Sequence, residues 1–127
     1  MIGKQNKFYE SVKEFQEAFG QTPSIHRRVK LIEEEYKELM EAIPLSLVFS
    51  YSSDEPMPFN MMKKEAADLL YVLTGLFVDY GWDMDAIFDR VHESNMSKLG
   101  DDGKPIYRED GKVLKSSKYK EPDLNGL

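Results

Sequence analysis

Residues 65–73 read Glu65-Ala66-Ala67-Asp68-Leu69-Leu70-Tyr71-Val72-Leu73. They lie inside a longer segment, Met61 to Tyr80, that is apolar nearly all round a helical wheel. Such a helix is buried. Yet Glu65 and Asp68, i, i+3 neighbours, sit at the rim of a stripe made by Leu69, Leu73, Leu76 and Tyr80. Two acids on a buried helix must be paired or must coordinate a cation. The two alanines between them let another helix come close. The stretch predicts an all-α fold with carboxylates turned towards a neighbouring helix.

The neighbour is upstream, in Leu31-Ile32-Glu33-Glu34-Glu35-Tyr36-Lys37-Glu38-Leu39. With Glu34 at the origin and about 100° per residue, Glu38 falls at about 40°, Leu31 at about 60° and Glu35 at about 100°. An apolar group (Ile32, Tyr36, Leu39, Met40, Ile43) spans about 140–240° and predicts the core face, with Lys37 turned away at about 300°. Glu34 and Glu38 are like charges at i, i+4, which is unfavourable unless a cation lies between them. A glutamate-rich run is ordinarily a solvated face. Here Glu38, the acids of the buried helix and the missing counter-cations weigh against that reading. If the two helices pack antiparallel, four or five carboxylates converge.

The chain has no cysteine and no suitably placed histidine. Oxygen-only ligands select a hard cation, Mg²⁺ or Mn²⁺, and Mg²⁺ on several carboxylates is the usual partner of a nucleotide polyphosphate. A di-iron site would need Glu-x-x-His on each of two helices. His92 follows Asp89 by three but has no counterpart, and His26 lies in a helix first turn. The acids of the tail, Asp101-Asp102-Gly103 and Glu109-Asp110-Gly111, do not fit an EF-hand loop.

Four helices and a tail are expected. Phe8, Val12, Phe15 and Phe19 mark one face of the first, which Gly20 stops. Ser24 caps the second, which Pro44 ends after Ile43. Residues 45–60 read as a loop with one short helical turn at Leu45–Phe49. Asn60 caps the third helix and Gly81 closes it. Asp83 caps the fourth, whose face carries Met84, Ile87, Phe88 and Val91, and Gly100 closes that one. Residues 100–127 form a polar tail. In it, Asp110-Gly111 between Ile106-Tyr107 and Val113-Leu114 signals a type I′ hairpin, and 124–127 is expected to be loose.

The 127 residues suit one domain, 1–127. Hydrophobic residues at 41% and charged residues at 31% are the balance of a globular chain. A net charge of −6 argues against nucleic acid as a partner. Leu69–Val78 is too short and interrupted to span a membrane. Without cysteine or a signal-like N-terminus, a reducing cytoplasm is the expected setting.

Glu34-Glu35-x-x-Glu38, 26 intervening residues, then Glu65-x-x-Asp68, resembles the E-E-x-x-E … E-x-x-D signature of the all-α nucleoside triphosphate pyrophosphohydrolases. That superfamily includes MazG-like proteins, dimeric dUTPases, all-α dCTPases and phosphoribosyl-ATP pyrophosphohydrolases. Phe15-x-x-x-Phe19-Gly20 with Pro23, Asp68-Leu69-Leu70-Tyr71-Val72, Val91-His92-x-Ser94-Asn95-Met96-x-Lys98, Asp110-Gly111-Lys112-Val113-Leu114-Lys115 and Pro122-Asp123 are similar to the compact, single-domain MazG-like branch of bacteria and phages.

The resemblance implies a helical bundle completed by a partner subunit, as a homodimer or a dimer of dimers. It implies Mg²⁺-dependent cleavage between the α- and β-phosphates, with Mn²⁺ able to substitute, giving a monophosphate and pyrophosphate. Glu35, Glu38, Glu65 and Asp68 would hold the metal. Glu34 would orient or deprotonate the attacking water, making Glu34, Glu35 and Glu38 the catalytic set. Asn95 and Lys98 would contact sugar or phosphate, and Lys112 and Lys115 would fold over the phosphates. Gln16 stands where many relatives carry a base-side histidine. Likeness to phage-type members leans towards dGTP or GTP, with dUTP, dCTP and phosphoribosyl-ATP as alternatives. Val72 stands where phosphoribosyl-ATP pyrophosphohydrolases typically carry histidine, which argues against that substrate. Outside the class stand a nucleotide sensor that binds without cutting and a non-catalytic oligomeric helical module.

Overall fold

The computed structural model describes residues 3–52 and 58–127. They form α1 (Lys7–Ala18), α2 (Ile25–Ser52), α3 (Pro58–Tyr80), α4 (Met84–Met96), β1 (Ile106–Tyr107) and β2 (Val113–Leu114). The fold is all-α with a small antiparallel hairpin, and its residues fall into two compact units, 1–81 and 82–127. Among the described residues no helix is long and apolar enough to cross a membrane.

In the first unit α3 packs against both α2 and α1. Arg28, early in α2, meets Asp79, late in α3, while Glu38 lies with Glu65 and Asp68, so the two helices run antiparallel. The Asn6 side chain caps α1 by accepting from Tyr9 N at 2.9 Å, and Gln21 N → Gln16 O at 2.9 Å with Gly20 N → Glu17 O at 3.2 Å closes it as a Schellman motif. The buried residues of α1 are Tyr9, Val12 and Gln16, whereas Phe8, Phe15 and Phe19 are exposed. The face marked by Phe8, Val12, Phe15 and Phe19 is thus only partly packed within the chain, buried at Val12 and open at Phe8 and Phe19.

α2 departs from expectation in two ways. It runs through Pro44 instead of ending there. A proline inside a helix removes one hydrogen bond and clashes with the preceding turn. Ala42 and Ser46, buried on either side of Pro44, hold the segment in place against that cost. The predicted core face is also rotated. Arg28, Ala42 and Ser46 are buried and Glu35 is half-buried on one arc, while Tyr36 and Met40 are exposed. Glu35 therefore lies on the packing arc itself.

α3 begins at Pro58, not at an Asn60 cap. Proline suits the first helical position because its missing N–H has no helical partner there. Residues 53–57 of the expected loop lie outside the described residues.

In the second unit Asp83 caps α4 by accepting from Ala86 N at 3.1 Å. The helix ends at Met96, short of Gly100. Ser97 explains the stop: its hydroxyl donates to Ser94 O at 2.6 Å and accepts from Lys120 N at 3.0 Å, a side-chain competition with the helical ladder. Ser94 Oγ → Lys120 O at 2.7 Å, Ser116 Oγ → Ser97 O at 3.0 Å and Arg90 Nη1 → Asp123 O at 2.9 Å strap the tail back along α4. Residues 124–127, expected to be loose, make a turn closed by Leu127 N → Leu124 O at 3.2 Å.

The hairpin forms where expected, with Ile106 opposite Leu114 and Tyr107 opposite Val113, but its turn is not type I′. Among the described residues no non-glycine residue has positive φ, so Asp110 cannot occupy that turn. Arg108 N → Lys112 O at 2.8 Å and Gly111 N → Arg108 O at 2.9 Å, with Gly111 at φ +88°, describe a three-residue loop ending in a left-handed glycine.

Candidate metal centre

Arg28 and Asp79 fix how α2 lies on α3. The guanidinium is bidentate on the carboxylate, Nε–Oδ2 2.8 Å and Nη2–Oδ1 3.1 Å, with both side chains only 5% exposed. Gln16 Nε2 donates to Asp79 Oδ1 at 3.2 Å, tying α1 to the same carboxylate. Gly75 leaves the room: a Cβ there would lie 2.2 Å from Arg28 Nη1. With this clamp set, the middle of α2 is brought to the first half of α3.

There Glu35, Glu38, Glu65 and Asp68 converge. Each offers a carboxylate oxygen, and the four oxygens lie within 4.8 Å of one another. Opposite ligands of an octahedral Mg²⁺ are about 4.2 Å apart, so a small closure would let the set grip the ion. Glu35 Oε2 and Glu65 Oε2 are buried without a hydrogen-bond partner. Buried carboxylate oxygens without donors are costly. A hard cation satisfies both, so the donor set fits the metal.

The crowding shows in the acidities. Burial first, then the Glu38 and Asp68 carboxylates, pushes the Glu35 carboxyl above its ordinary value. Burial, with the Glu38 side chain next, raises Glu65, against the opposing pull of Lys64. Two helices packed on like charges resist ionising them all.

The other anticipated residues are placed as follows. Glu34 is exposed and stands outside the converging four. Gln16 is buried and lines a cavity of about 220 Å³ with Val12, Phe15, Arg28, Leu31, Tyr71 and Val72. Leu31 and Val72 are each one helical turn from Glu35 and Asp68, so this cavity adjoins the carboxylates along the α2–α3 seam. Phe15 and Tyr71 meet edge-on at 5.8 Å between ring centroids. In the second unit, Asn95 is exposed in the last turn of α4. Lys98 lies beyond the helix, its N–H on Asn95 O at 3.2 Å. Lys112 and Lys115 are exposed, and Lys115 Nζ sits 4.6 Å from the Tyr119 ring centroid.

Two features escaped the sequence reading. One is the Arg28–Asp79 clamp, 51 positions apart in sequence, for which no local signal exists. The other is Lys64, whose Nζ lies 2.7 Å from Asp68 Oδ2 and 3.6 Å from Glu65 Oε1. Its i, i+4 spacing to Asp68 was a legible sign.

The family model for phosphoribosyl-ATP pyrophosphohydrolase matches residues 4–95. Among solved structures, a protein of Exiguobacterium sp. 255-15 named as a candidate NTP pyrophosphohydrolase is 25% identical, with a TM-score of 0.50 over 94% of this chain and 90% of that one. No curated protein matches the chain. The matched span contains both acidic motifs and the clamp that holds them together. The chain belongs to the phosphoribosyl-ATP pyrophosphohydrolase family, within the all-α NTP pyrophosphohydrolases, and is a hydrolase of pyrophosphate bonds.

Proposed function

We propose that this protein is a Mg²⁺-dependent nucleoside triphosphate pyrophosphohydrolase that splits the bond between the α- and β-phosphates, releasing a monophosphate and pyrophosphate. The convergence of Glu35, Glu38, Glu65 and Asp68 carries this reading. These four would hold Mg²⁺, with Mn²⁺ able to substitute. When bound, the metal neutralises polyphosphate charge and acidifies water. Glu34, one position before Glu35 on the exposed side of α2, would orient the attacking water and take its proton. The cavity lined by Gln16, Phe15 and Tyr71 is the place for the base: aromatic walls suit a flat ring, and Gln16 supplies a fixed amide. Because Asp79 can only accept, Gln16 must point its NH₂ there, which keeps the amide oxygen for a ligand. Asn95, Lys98, Lys112 and Lys115 are proposed for sugar and phosphate.

A guanine nucleotide is the leading substrate, with dUTP and dCTP behind it. The family match specifically favours a second reading, phosphoribosyl-ATP. The absence of cysteine suits a cytoplasmic setting. A homodimer or dimer of dimers is proposed from the apolar residues left exposed: Phe59, Leu73 and Tyr80 follow one another at fourteen- and seven-residue spacing on α3, and Tyr36 and Met40 project from α2.

The test is a panel of the eight common NTPs and dNTPs plus phosphoribosyl-ATP, with Mg²⁺ or Mn²⁺, resolved by ion-exchange chromatography. One or two substrates should pass straight to monophosphate, without transient diphosphate, and EDTA should stop them. Metal-linked binding without pyrophosphate release would make the protein a sensor. Neither binding nor turnover would leave the non-catalytic helical module.

A further inference from the structure

Lys64 is, among the described residues, the one cation paired with any of the four converging acids. Its ammonium touches two of them, Asp68 Oδ2 at 2.7 Å and Glu65 Oε1 at 3.6 Å. Its side chain is 69% exposed, so packing does little to hold it in this pose, and the charge of the acids is its main restraint. A divalent ion bound by Asp68 would lie about 2.1 Å from the same carboxylate. Ammonium and metal would then be near neighbours of like sign, sharing one carboxylate. The tether cannot remove the lysine from the rim, since the residue directly precedes Glu65 on α3. A displaced ammonium there faces whatever anion accompanies the ion.

We propose that Lys64 is a tethered occupant of the cation site, holding Asp68 until a divalent ion displaces it and then pairing with the phosphate chain that arrives with the ion. This rests on the metal-centre reading above. It gives Lys64 two effects of opposite sign, against metal alone and in favour of phosphate once metal is present. An ordinary surface lysine would have neither. Lys63 supplies the control: it is exposed, has the same charge, and among the described residues makes no ion pair.

The experiment uses the full chain stripped of metal, as wild type, Lys64→Gln and Lys63→Gln. Mn²⁺ binding is followed by the spin-resonance signal of the free ion. Inorganic pyrophosphate binding at saturating Mn²⁺ is followed by calorimetry. Lys64→Gln should tighten Mn²⁺ by about fivefold, since one nearby positive charge is gone, while Lys63→Gln changes it less than about twofold. Lys64→Gln should then weaken pyrophosphate by about fivefold and Lys63→Gln should not. Equal effects of the two variants, no tightening of Mn²⁺, or unchanged pyrophosphate affinity in Lys64→Gln overturns the proposal. Wild type that binds no Mn²⁺ refutes the metal centre instead, a separate outcome.

Discussion

Replacing Glu35 by glutamine should stabilise the metal-free protein while removing its response to metal. The four carboxylate oxygens lie within 4.8 Å of one another. At that distance two unit charges repel by about 0.9 kcal/mol in water and about 3.5 kcal/mol at an effective dielectric of 20. Glu35 has three such neighbours, is half-buried, and has Lys64 nearby offsetting part of the charge. Side chains also relax away from one another when no ion holds them. The net gain expected for Glu35→Gln without metal is therefore about 1 kcal/mol, or roughly 3–5 °C in Tm for a chain of this size. The amide also adds a donor beside the acids, where Glu65 Oε2 has none. Thermal unfolding in EDTA at low salt and neutral pH reads the gain, with Glu33→Gln, outside the cluster on the same helix, as control. Adding Mg²⁺ should raise the Tm of wild type and leave Glu35→Gln much less affected. If Glu35→Gln is no more stable than Glu33→Gln in EDTA, the four acids do not crowd one another and the metal argument fails at its base.

The raised acidities of Glu35 and Glu65 give a signed pH dependence. Between the ordinary carboxylate range and the raised values the folded chain binds more protons than the unfolded one, so these groups subtract stability as pH rises through that window. The stability advantage of Glu65→Gln over wild type in EDTA should widen from acid to neutral pH; an advantage independent of pH refutes this. Asp79→Asn strands a buried guanidinium and should cost about 3 kcal/mol in denaturant unfolding, and a loss below about 1 kcal/mol would show the clamp to be idle. Gly75→Ala drives a methyl onto Arg28 and should cost about 2 kcal/mol by the same measurement, whereas a neutral result would mean the guanidinium has somewhere else to go. Pro44→Ala restores a helical hydrogen bond and should raise stability by about 1 kcal/mol; a loss would show that Pro44 is needed for its own contacts.

The acidic site was more legible than the packing around it. Glu65 and Asp68 stand out because charge on an apolar helix requires a partner, and that argument needs no knowledge of the neighbour; on α2 it is the resemblance to the all-α pyrophosphohydrolases that singles out Glu35 and Glu38 from the run beginning at Glu33. The core face of α2 is misplaced by the sequence pattern because apolarity is equated there with packing inside one chain. Phe15, Phe19, Tyr36 and Met40 are apolar and exposed, while Gln16 and Arg28 are polar and buried. The buried polar residues are explained by Asp79, whose distance along the chain hides it from any periodicity. Helix ends failed where side chains intervened. Ser97 stops α4 through its hydroxyl, and the burial of Ala42 and Ser46 carries α2 past Pro44.

The guanidinium pressed on Gly75 also constrains the order in which this sequence can drift. Position 75 cannot gain a side chain while Arg28 occupies the space. Arg28 cannot be lost first, because Asp79 would keep an uncompensated charge at 5% exposure. Asp79 cannot go first without stranding the guanidinium. The three positions form a lock whose single steps all run downhill in stability, and whose escape needs at least two changes together. Variants that alter one of them should survive only in backgrounds where another has already changed.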